Sequence, residues 1–262
     1  YTQNTDGATW TEYASSQAVG DIGTTYTADP LTIPGFTYDS TVEGTVASGE
    51  LTAGGLELKL YYIRNEYPYQ VRYLEQGTGK PLANPKDGKG RYGAVISEAA
   101  IPIEDYDPVT STPQTLNIRI EESQTEAKLN VITFYYQEQD VTIQYQVVGP
   151  EGCGTVTLAS ETVKVLSGTA IGSTATASSE EYRFVGWYSD AACTTWVSAD
   201  SKYVPEKVAG KNVAATYYAK FEPNQGSLTI EKTVKGGVEQ DFIFDVTGGG
   251  KTYTVVISCG AD

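Results

Sequence analysis

The sequence contains no histidine, no methionine and only three cysteines. Without an imidazole, Ser–His–Asp and Cys–His catalysis are excluded, and so are the common zinc sites. Carboxylate chemistry of the glycosidase kind is the catalytic option that this composition leaves open. Because methionine is absent even at position 1, we expect an internal or processed region from which a signal peptide and an anchor have been removed.

Basic residues are also few, with 18 Lys and Arg against 33 Asp and Glu, a formal net charge of −15. Nucleic acids and anionic membrane surfaces both require clustered positive charge, so neither is expected as a partner. No apolar run approaches the roughly 20 residues that span a bilayer, so no membrane insertion is expected. Self-repulsion of an acidic chain favours a soluble monomer.

Helical periodicity is scarce, with brief candidates only at 8–19, 95–100 and 198–203. Strand patterns are abundant, as in LELKLYYI, YPYQVRYL, VTIQYQVV and ATYYAKFE, and clusters of Gly, Pro, Asn and Asp separate them. This predicts a mainly β protein of tandem small modules, β-grasp (ubiquitin-like) and sandwich-like, arranged as an elongated rod.

Aromatic doublets recur near the predicted module ends, beginning at Tyr61, Tyr135 and Tyr217. In a doublet only one ring can face the core, because successive strand residues point to opposite faces. We predict four modules, of which the first and the last are expected to be incomplete, at 1–66, 67–138, 139–224 and 225–262.

The stretch YYIRNEYPYQVRYLEQGTG (61–79) crosses the first boundary. It is either a sugar-binding aromatic surface or the packing of a joint between modules. Alternation places Tyr69, Val71 and Tyr73 on one strand face and Gln70, Arg72 and Leu74 on the other. If Tyr61, Tyr69, Tyr73 and Trp196 share one exposed face, ligand contact is favoured; if alternate tyrosines are buried, the joint is favoured.

The first part of the chain contains three motifs, a turn at Gly35–Asp39, a turn at Gly44–Val46 and a strand at Leu56–Tyr62. Together they resemble mucin-binding-protein (MucBP) repeats. YQVRYLEQGTGKPLANP resembles the opening of a second such repeat, although EDYDPVTSTPQ replaces the usual turn in its middle.

Two other resemblances follow. Residues 139–224 resemble an internalin-type B repeat of the β-grasp kind through FVGWY (184–188) and YYAKF (217–221). Residues 225–262 resemble the start of a pilin-like, collagen-adhesin B-type domain through LTIEKTVKGG, DFIFDVT and TYTVVIS. Together the resemblances imply a cell-wall-anchored, extracellular surface adhesin of a Gram-positive bacterium.

Aromatic residues of the third module have two interpretations. Phe184, Trp187, Tyr188 and Trp196 would form a carbohydrate-stacking face, or they would form the core that a small module needs. We predict Phe184, Trp187 and Tyr218 as core. Trp196 is left as a ligand-contact candidate together with Tyr61, Tyr69 and Tyr73.

Two further chemical predictions concern crosslinks. A Cys153–Cys193 disulfide would close about 40 residues and add roughly 4 kcal/mol in the chain-entropy model; the alternative is two unpaired thiols. The pilin-like resemblance implies that Lys232 is an isopeptide-forming lysine; the alternative is a solvated strand lysine.

The acidic residues Glu104, Asp105 and Asp107 are interpreted as a solvated turn, so we predict no metal, no cofactor and no catalytic residue.

Two functions remain at this point. The first is a non-enzymatic stalk that projects an adhesive head and contributes to host or glycan attachment. The second is a set of repeats that directly bind mucin glycans or an extracellular host protein through exposed Tyr and Trp faces.

Overall fold

The computed structural model describes residues 1–109, 115–122, 130–233 and 240–259, and gives only the backbone of 115, 116 and 259. Within these ranges the regular secondary structure consists of β-strands and contains no helix. The mainly β prediction is confirmed. The brief helices expected at 8–19, 95–100 and 198–203 are wrong, because the first and third regions contain short strands and the second pairs as a strand with 115–119.

The chain forms two compact units, and each unit consists of three chain segments. The first unit contains Tyr1–Tyr145, Leu158–Ser173 and Lys202–Tyr217. The second contains Gln146–Thr157, Thr174–Ser201 and Tyr218–Asp262. The division therefore runs through the residues predicted as the third module.

The first module contains six short strands. They are β1 (Thr2–Gln3), β2 (Trp10–Thr11), β3 (Thr25–Thr27), β4 (Phe36–Tyr38), β5 (Ser48–Glu50) and β6 (Tyr62–Arg64). One sheet has the order β2-β1-β6-β4, and β3 pairs separately with β5. The first strand is parallel to the last, with Thr2 opposite Tyr62.

The second module repeats that plan with longer strands. They are β7 (Glu66–Glu75), β8 (Lys86–Arg91), β9 (Val95–Ala99), β10 (Tyr106–Pro108), β11 (Thr115–Arg119) and β12 (Asn130–Glu138). The main sheet has the order β10-β12-β7-β8, and β9 pairs with β11. The first and last strands of this module, β7 and β12, are again parallel.

The core of the second module explains its tyrosine content. Burial alternates along β7, where Tyr67, Tyr69, Val71 and Tyr73 are buried and the residues between them are not. They pack with Ile132, Phe134 and Tyr136 of β12, and with Tyr106 and Ile120. The predicted alternation of the 61–79 stretch is confirmed, because one face of the strand meets the core and the other meets solvent.

Eight strands follow. They are β13 (Asp140–Val148), β14 (Gly154–Val156), β15 (Ser160–Lys164), β16 (Ser173–Ala177), β17 (Tyr182–Tyr188), β18 (Trp196–Ser198), β19 (Lys202–Tyr203) and β20 (Ala215–Pro223). In the first unit β13 pairs antiparallel with β15. In the second unit β14 pairs with β16, and β17 lies between β18 and β20, all antiparallel.

The last described element is a hairpin of β21 (Gln240–Gly248) and β22 (Lys251–Cys259), in register from Gln240↔Cys259 to Gly248↔Lys251. Gly249 and Gly250 form its turn, both with positive φ. The phi angles match a two-residue turn with both central residues in the left-handed region, which glycine adopts readily.

Candidate functional site

The first joint links the first module to the second, and a single residue, Asn65, separates β6 from β7. Both backbone groups of Asn65 are hydrogen-bonded. Its N–H donates to the Gly35 carbonyl oxygen at 2.9 Å, and its carbonyl accepts from the Tyr92 N–H at 2.8 Å. The crossing is therefore bonded to both modules rather than left as a free linker.

Arg64 is the central side chain of the first joint. Its guanidinium donates from Nε to the Gln3 carbonyl at 2.8 Å and from Nη1 to the Tyr92 carbonyl at 2.6 Å. It also lies over the Phe36 ring, 4.6 Å from the centroid. Burial and the nearby charge of Arg119 lower the pKa of Arg64. One planar cation thus bonds the backbone of both modules and stacks on a ring.

Aromatic packing and a carboxylate complete the first joint. The Tyr92 ring packs edge-on against Phe36 at 6.1 Å and against Tyr67 at 6.2 Å. Glu122 Oε1 accepts from the Gly35 N–H at 2.6 Å and from the Tyr67 hydroxyl at 3.3 Å. Gly35 has a φ of 77°, and a Cβ there would overlap the Tyr92 ring, so glycine is needed at this contact.

A second joint lies inside the first unit, where the end of β12 contacts the residues that follow β15. The buried carboxylate of Glu138 accepts from the Leu166 N–H, from the Ser167 N–H at 2.7 Å and from the Ser167 hydroxyl at 2.6 Å. Lys164 Nζ donates to the Glu138 carbonyl at 2.9 Å. Burial raises the pKa of Glu138, but these hydrogen bonds and the Lys164 charge outweigh it, so the pKa is below its usual value.

Lys211 adds an ion pair to the second joint. Its ammonium lies 2.6 Å from Glu104 Oε1 and 2.6 Å from Asp105 Oδ2. Hydrogen bonds to Asp105 and then to Glu104 raise the pKa of Lys211. The acidic turn therefore serves as a salt-bridge partner of the 202–217 segment, rather than only meeting solvent.

The structure separates the ligand-contact candidates. Tyr69 and Tyr73 are 8% and 3% exposed, so they are reassigned to the core. Tyr69 donates its hydroxyl to Glu98 Oε1 at 2.7 Å. A ring packed in this way leaves no face for a ligand, so the four candidates do not share one exposed face.

Tyr61 is half-buried in an aromatic cluster of the first module (Tyr1, Trp10 and Tyr61). Its ring stacks on Tyr1 at 5.1 Å, and Trp10 meets it edge-on at 5.0 Å. The next ring of the doublet, Tyr62, is 4% exposed. One ring of the doublet is therefore buried in the core and the other packs in this cluster, because successive strand residues point to opposite faces.

Trp196 is the exposed candidate, and a turn fixes its position. The Asp190 carboxylate accepts from the Thr195 N–H at 2.6 Å and from the Thr194 N–H at 3.1 Å. The backbone N–H groups of Thr195 and then Thr194 lower the pKa of Asp190, and burial opposes them. This Asx-type turn places Trp196 at the start of β18.

One face of the β18–β17–β20 sheet carries a row of aromatic residues, Trp196, Tyr188 and Tyr218. We call this the outer face. Trp196 lies opposite Tyr188, and Tyr188 lies opposite Tyr218. The indole lies over Gly186, where an added Cβ would be 3.1 Å from its Nε1 and 2.9 Å from the Ser198 carbonyl oxygen. Gly186 thus provides the flat surface on which Trp196 lies, while Trp196 remains 59% exposed.

Charged residues border this aromatic row. Lys220 Nζ lies 5.9 Å from the Tyr188 ring centroid and 2.9 Å from Glu222 Oε1. Arg183 Nη2 lies 2.9 Å from Glu222 Oε2. Hydrogen bonding to Glu222 raises the pKa of Lys220, and hydrogen bonding to Lys220 lowers the pKa of Glu222. Two cations therefore share one carboxylate.

The opposite face of β17 and β20 is the core of the second unit. Trp187 is fully buried and donates Nε1 to the Ser201 carbonyl at 3.1 Å. Phe184 is half-buried and packs on Trp187 at 6.1 Å and on Phe221 at 5.6 Å. Tyr218 lies on the other side, opposite Tyr188, so its assignment to the core is corrected. Alternation along β20 gives the core face to Ala219 and Phe221.

The crosslink candidates are Cys153, Cys193 and Lys232. Cys153 is buried and Cys193 half-buried, and both are free thiols, so the structure does not contain the predicted disulfide. A Cβ at Gly149 would lie 2.8 Å from Cys153 Sγ, whereas Cys193 lies in the Asp190 turn at a φ of 51°. Lys232 is exposed and its Nζ lies 5.2 Å from the Phe242 ring centroid. Its isopeptide role stays a prediction.

Sequence reasoning did not identify Arg64, Tyr92 or Glu138. Arg64 carried one available signal, since it lies two residues after the tyrosine doublet at a predicted boundary. Among the residues that the structure describes, no cluster of His, Cys, Asp or Glu is arranged to hold a metal ion. Nor do those residues include a helix that is long and apolar enough to cross a membrane.

Two family models match parts of this chain. The family model of the MucBP domain matches residues 1–63 and again residues 69–146, together more than half of the chain. This chain belongs to the MucBP family. Arg64 and Asn65 of the first joint lie between the two MucBP matches, and the parallel pairing of first and last strands recurs in both modules.

A second family model, the Listeria-Bacteroides repeat domain, matches residues 142–209. It covers Trp187 and Trp196 and lies inside the module predicted at 139–224. The chain is thus a bacterial surface protein with MucBP-like repeats, an adhesion-related repeat protein of a kind that is typically extracellular and non-enzymatic. No curated protein matches the chain. The internalin-type and pilin-like assignments stay predictions.

Proposed function

We propose that this region is a non-enzymatic stalk of a cell-wall-anchored surface protein, in which stiffly joined MucBP modules project an adhesive part toward host mucin or glycans. The observation that carries the proposal is the first joint. Modules joined by a free linker move independently by default. Here the crossing residue Asn65, the half-buried guanidinium of Arg64 and the ring of Tyr92 fill the junction instead.

Each element of the first joint opposes bending. Moving the modules apart would leave the Arg64 guanidinium without the Tyr92 carbonyl and would break the Glu122 contact with the Gly35 N–H. Hydrogen bonds to a charged group contribute about 1.5–3 kcal/mol each. Phe36 and Tyr92 would also lose their ring contact. A stiff joint serves a stalk because it preserves the direction in which the next module projects.

Surface charge agrees with this function. A net charge of −15 keeps neighbouring copies apart and keeps the chain in solution. The burial of Tyr69 and Tyr73 supports the same conclusion, because most of the tyrosine richness in the 61–79 stretch is used in packing.

Residual dipolar couplings measured by NMR test the proposal. In the wild-type chain, couplings from 1–63 and from 69–138 should fit one alignment tensor, because the two modules move together. Arg64→Ala should give two different tensors while each module stays folded. Arg72→Ala is the matched control, because Arg72 is exposed on β7 and hydrogen-bonds Gln70 rather than the first module. Independent tensors in the wild-type chain would refute the stiff stalk.

A further inference from the structure

We propose that the outer face binds a carbohydrate ring that carries a carboxylate, with Trp196 as the stacking surface and Lys220 as the charged donor. The inference rests on the proposed adhesive function. It goes further by assigning ligand contact to a face of the second unit that combines Trp196 of the Listeria-Bacteroides match with Lys220, which follows that match in the chain, and by naming the ligand class.

The stacking surface is built rather than incidental. Gly186 lies under the indole of Trp196, and the Asp190 turn fixes where β18 begins. A lone surface tryptophan on a flexible loop would have neither support. The supported indole is 59% exposed, and Tyr188 continues the aromatic row beside it. Pyranose rings present a flat C–H face, and a fixed aromatic plane with an adjacent polar group suits that shape.

Charge selects among sugars. Both oxygens of Glu222 are already paired, one with Lys220 and one with Arg183. An ammonium has three N–H donors and a guanidinium five, so donors remain in excess at this edge. The Lys220–Arg183–Glu222 group carries a net charge of +1 in a chain of net charge −15, and the Asp190 carboxylate beside Trp196 is already bonded to Thr194 and Thr195. An acidic sugar would therefore find its electrostatic partner here, and a neutral sugar would gain only the stacking.

The short extent of the exposed aromatic row on the outer face favours a sugar over a protein. A stable protein interface needs about 800 Å² on each partner. The exposed platform rests on β18, a strand of three residues, and on its pairing with the end of β17. One or two sugar rings match this extent.

NMR of the indole N–H groups tests the inference with sialyllactose and lactose as probes. The chain has three tryptophans, and Trp196→Phe identifies the Trp196 signal. Sialyllactose should shift that signal and leave the signal of the buried Trp187 unchanged. Trp196→Ala should weaken binding by about tenfold or more. Tyr13→Ala is the control and should bind normally, because Tyr13 is also 59% exposed but lies outside the outer face.

Lys220→Gln tests the charge. The wild-type chain should prefer sialyllactose over lactose by roughly threefold to tenfold, and the preference should shrink at high salt. Lys220→Gln should abolish the preference and keep the weak binding of lactose. Equal binding of the two sugars by the wild-type chain would overturn the assignment of ligand class.

Two other outcomes overturn the site. One is no shift of any indole signal at millimolar sialyllactose, and the other is a shift of the Trp10 signal alone, which would place binding in the aromatic cluster of the first module. Either result is distinguishable from failure of the stalk proposal, because the alignment tensors of the MucBP modules are measured independently of any sugar.

Discussion

Glu138 offers a quantitative test of the second joint. Glu138→Gln keeps the size of the side chain but removes its charge and replaces one acceptor oxygen with an NH₂ group. The wild-type carboxylate accepts from two backbone N–H groups, those of Leu166 and Ser167, and from the Ser167 hydroxyl. With glutamine, one donor faces the NH₂ group and loses its partner.

The cost follows from those contacts. A hydrogen bond to a charged group contributes about 1.5–3 kcal/mol, and a buried donor left unpaired costs about 1–3 kcal/mol. Because Glu138 is 8% exposed, solvent replaces little of the loss. We expect Glu138→Gln to lower the free energy of unfolding of the first unit by about 2–4 kcal/mol.

The pH dependence has a definite sign. The pKa of Glu138 is lowered in the folded chain, so ionised Glu138 stabilises the fold at pH values above its usual pKa. This stabilisation decreases as the pH falls below about 4.5 toward the lowered folded-state pKa, where the carboxylate takes up a proton. In Glu138→Gln this part of the acid destabilisation should be absent, so the two proteins should converge in stability at low pH.

Hydrogen exchange followed by mass spectrometry is the assay, with urea unfolding as the global measure. The Leu166 and Ser167 amides should exchange faster in Glu138→Gln, because they lose their acceptor. Glu57→Gln is the control; its carboxylate pairs with Lys59 but is 72% exposed, so the expected change is within about 0.5 kcal/mol. Unchanged exchange at 166–167 together with an unchanged urea midpoint would refute the role of Glu138.

Two further predictions concern the second unit. Trp187→Ala should lower the free energy of unfolding by about 3–5 kcal/mol, measured in urea, because it removes a fully buried indole. A change below about 1 kcal/mol would show that the second unit does not depend on this core residue. Alkylation without reductant should modify Cys193 slowly in the native chain, because burial raises the pKa of its thiol, and Cys153 only after unfolding. Two thiols that react only after reduction would instead establish the disulfide.

The local β pattern was predictable because it depends on neighbouring residues alone. Period-two alternation predicts the shared face of Tyr69, Val71 and Tyr73. The sequence leaves open whether the 61–79 stretch is a joint or a binding surface, because the answer depends on which tyrosines are buried. The sequence does not predict which of the two strand faces is buried, because the side chains that pack on that face come from distant parts of the chain. For this reason Tyr218 was assigned to the core although it lies on the outer face.

The contacts on which the proposed functions rest depend on the tertiary structure. Arg64 reaches Gln3 and Tyr92, and Glu138 reaches Ser167, across separations that no local pattern encodes. The sequence leaves Trp196 open between core and surface, and in the structure it lies on Gly186 and is 59% exposed. The sequence by itself determined a mainly β chain of MucBP-like repeats without histidine chemistry, since composition and alternation are local properties. Only the tertiary structure decided which aromatic side chains are buried and that Trp196 is exposed, because burial is a property of the packed chain.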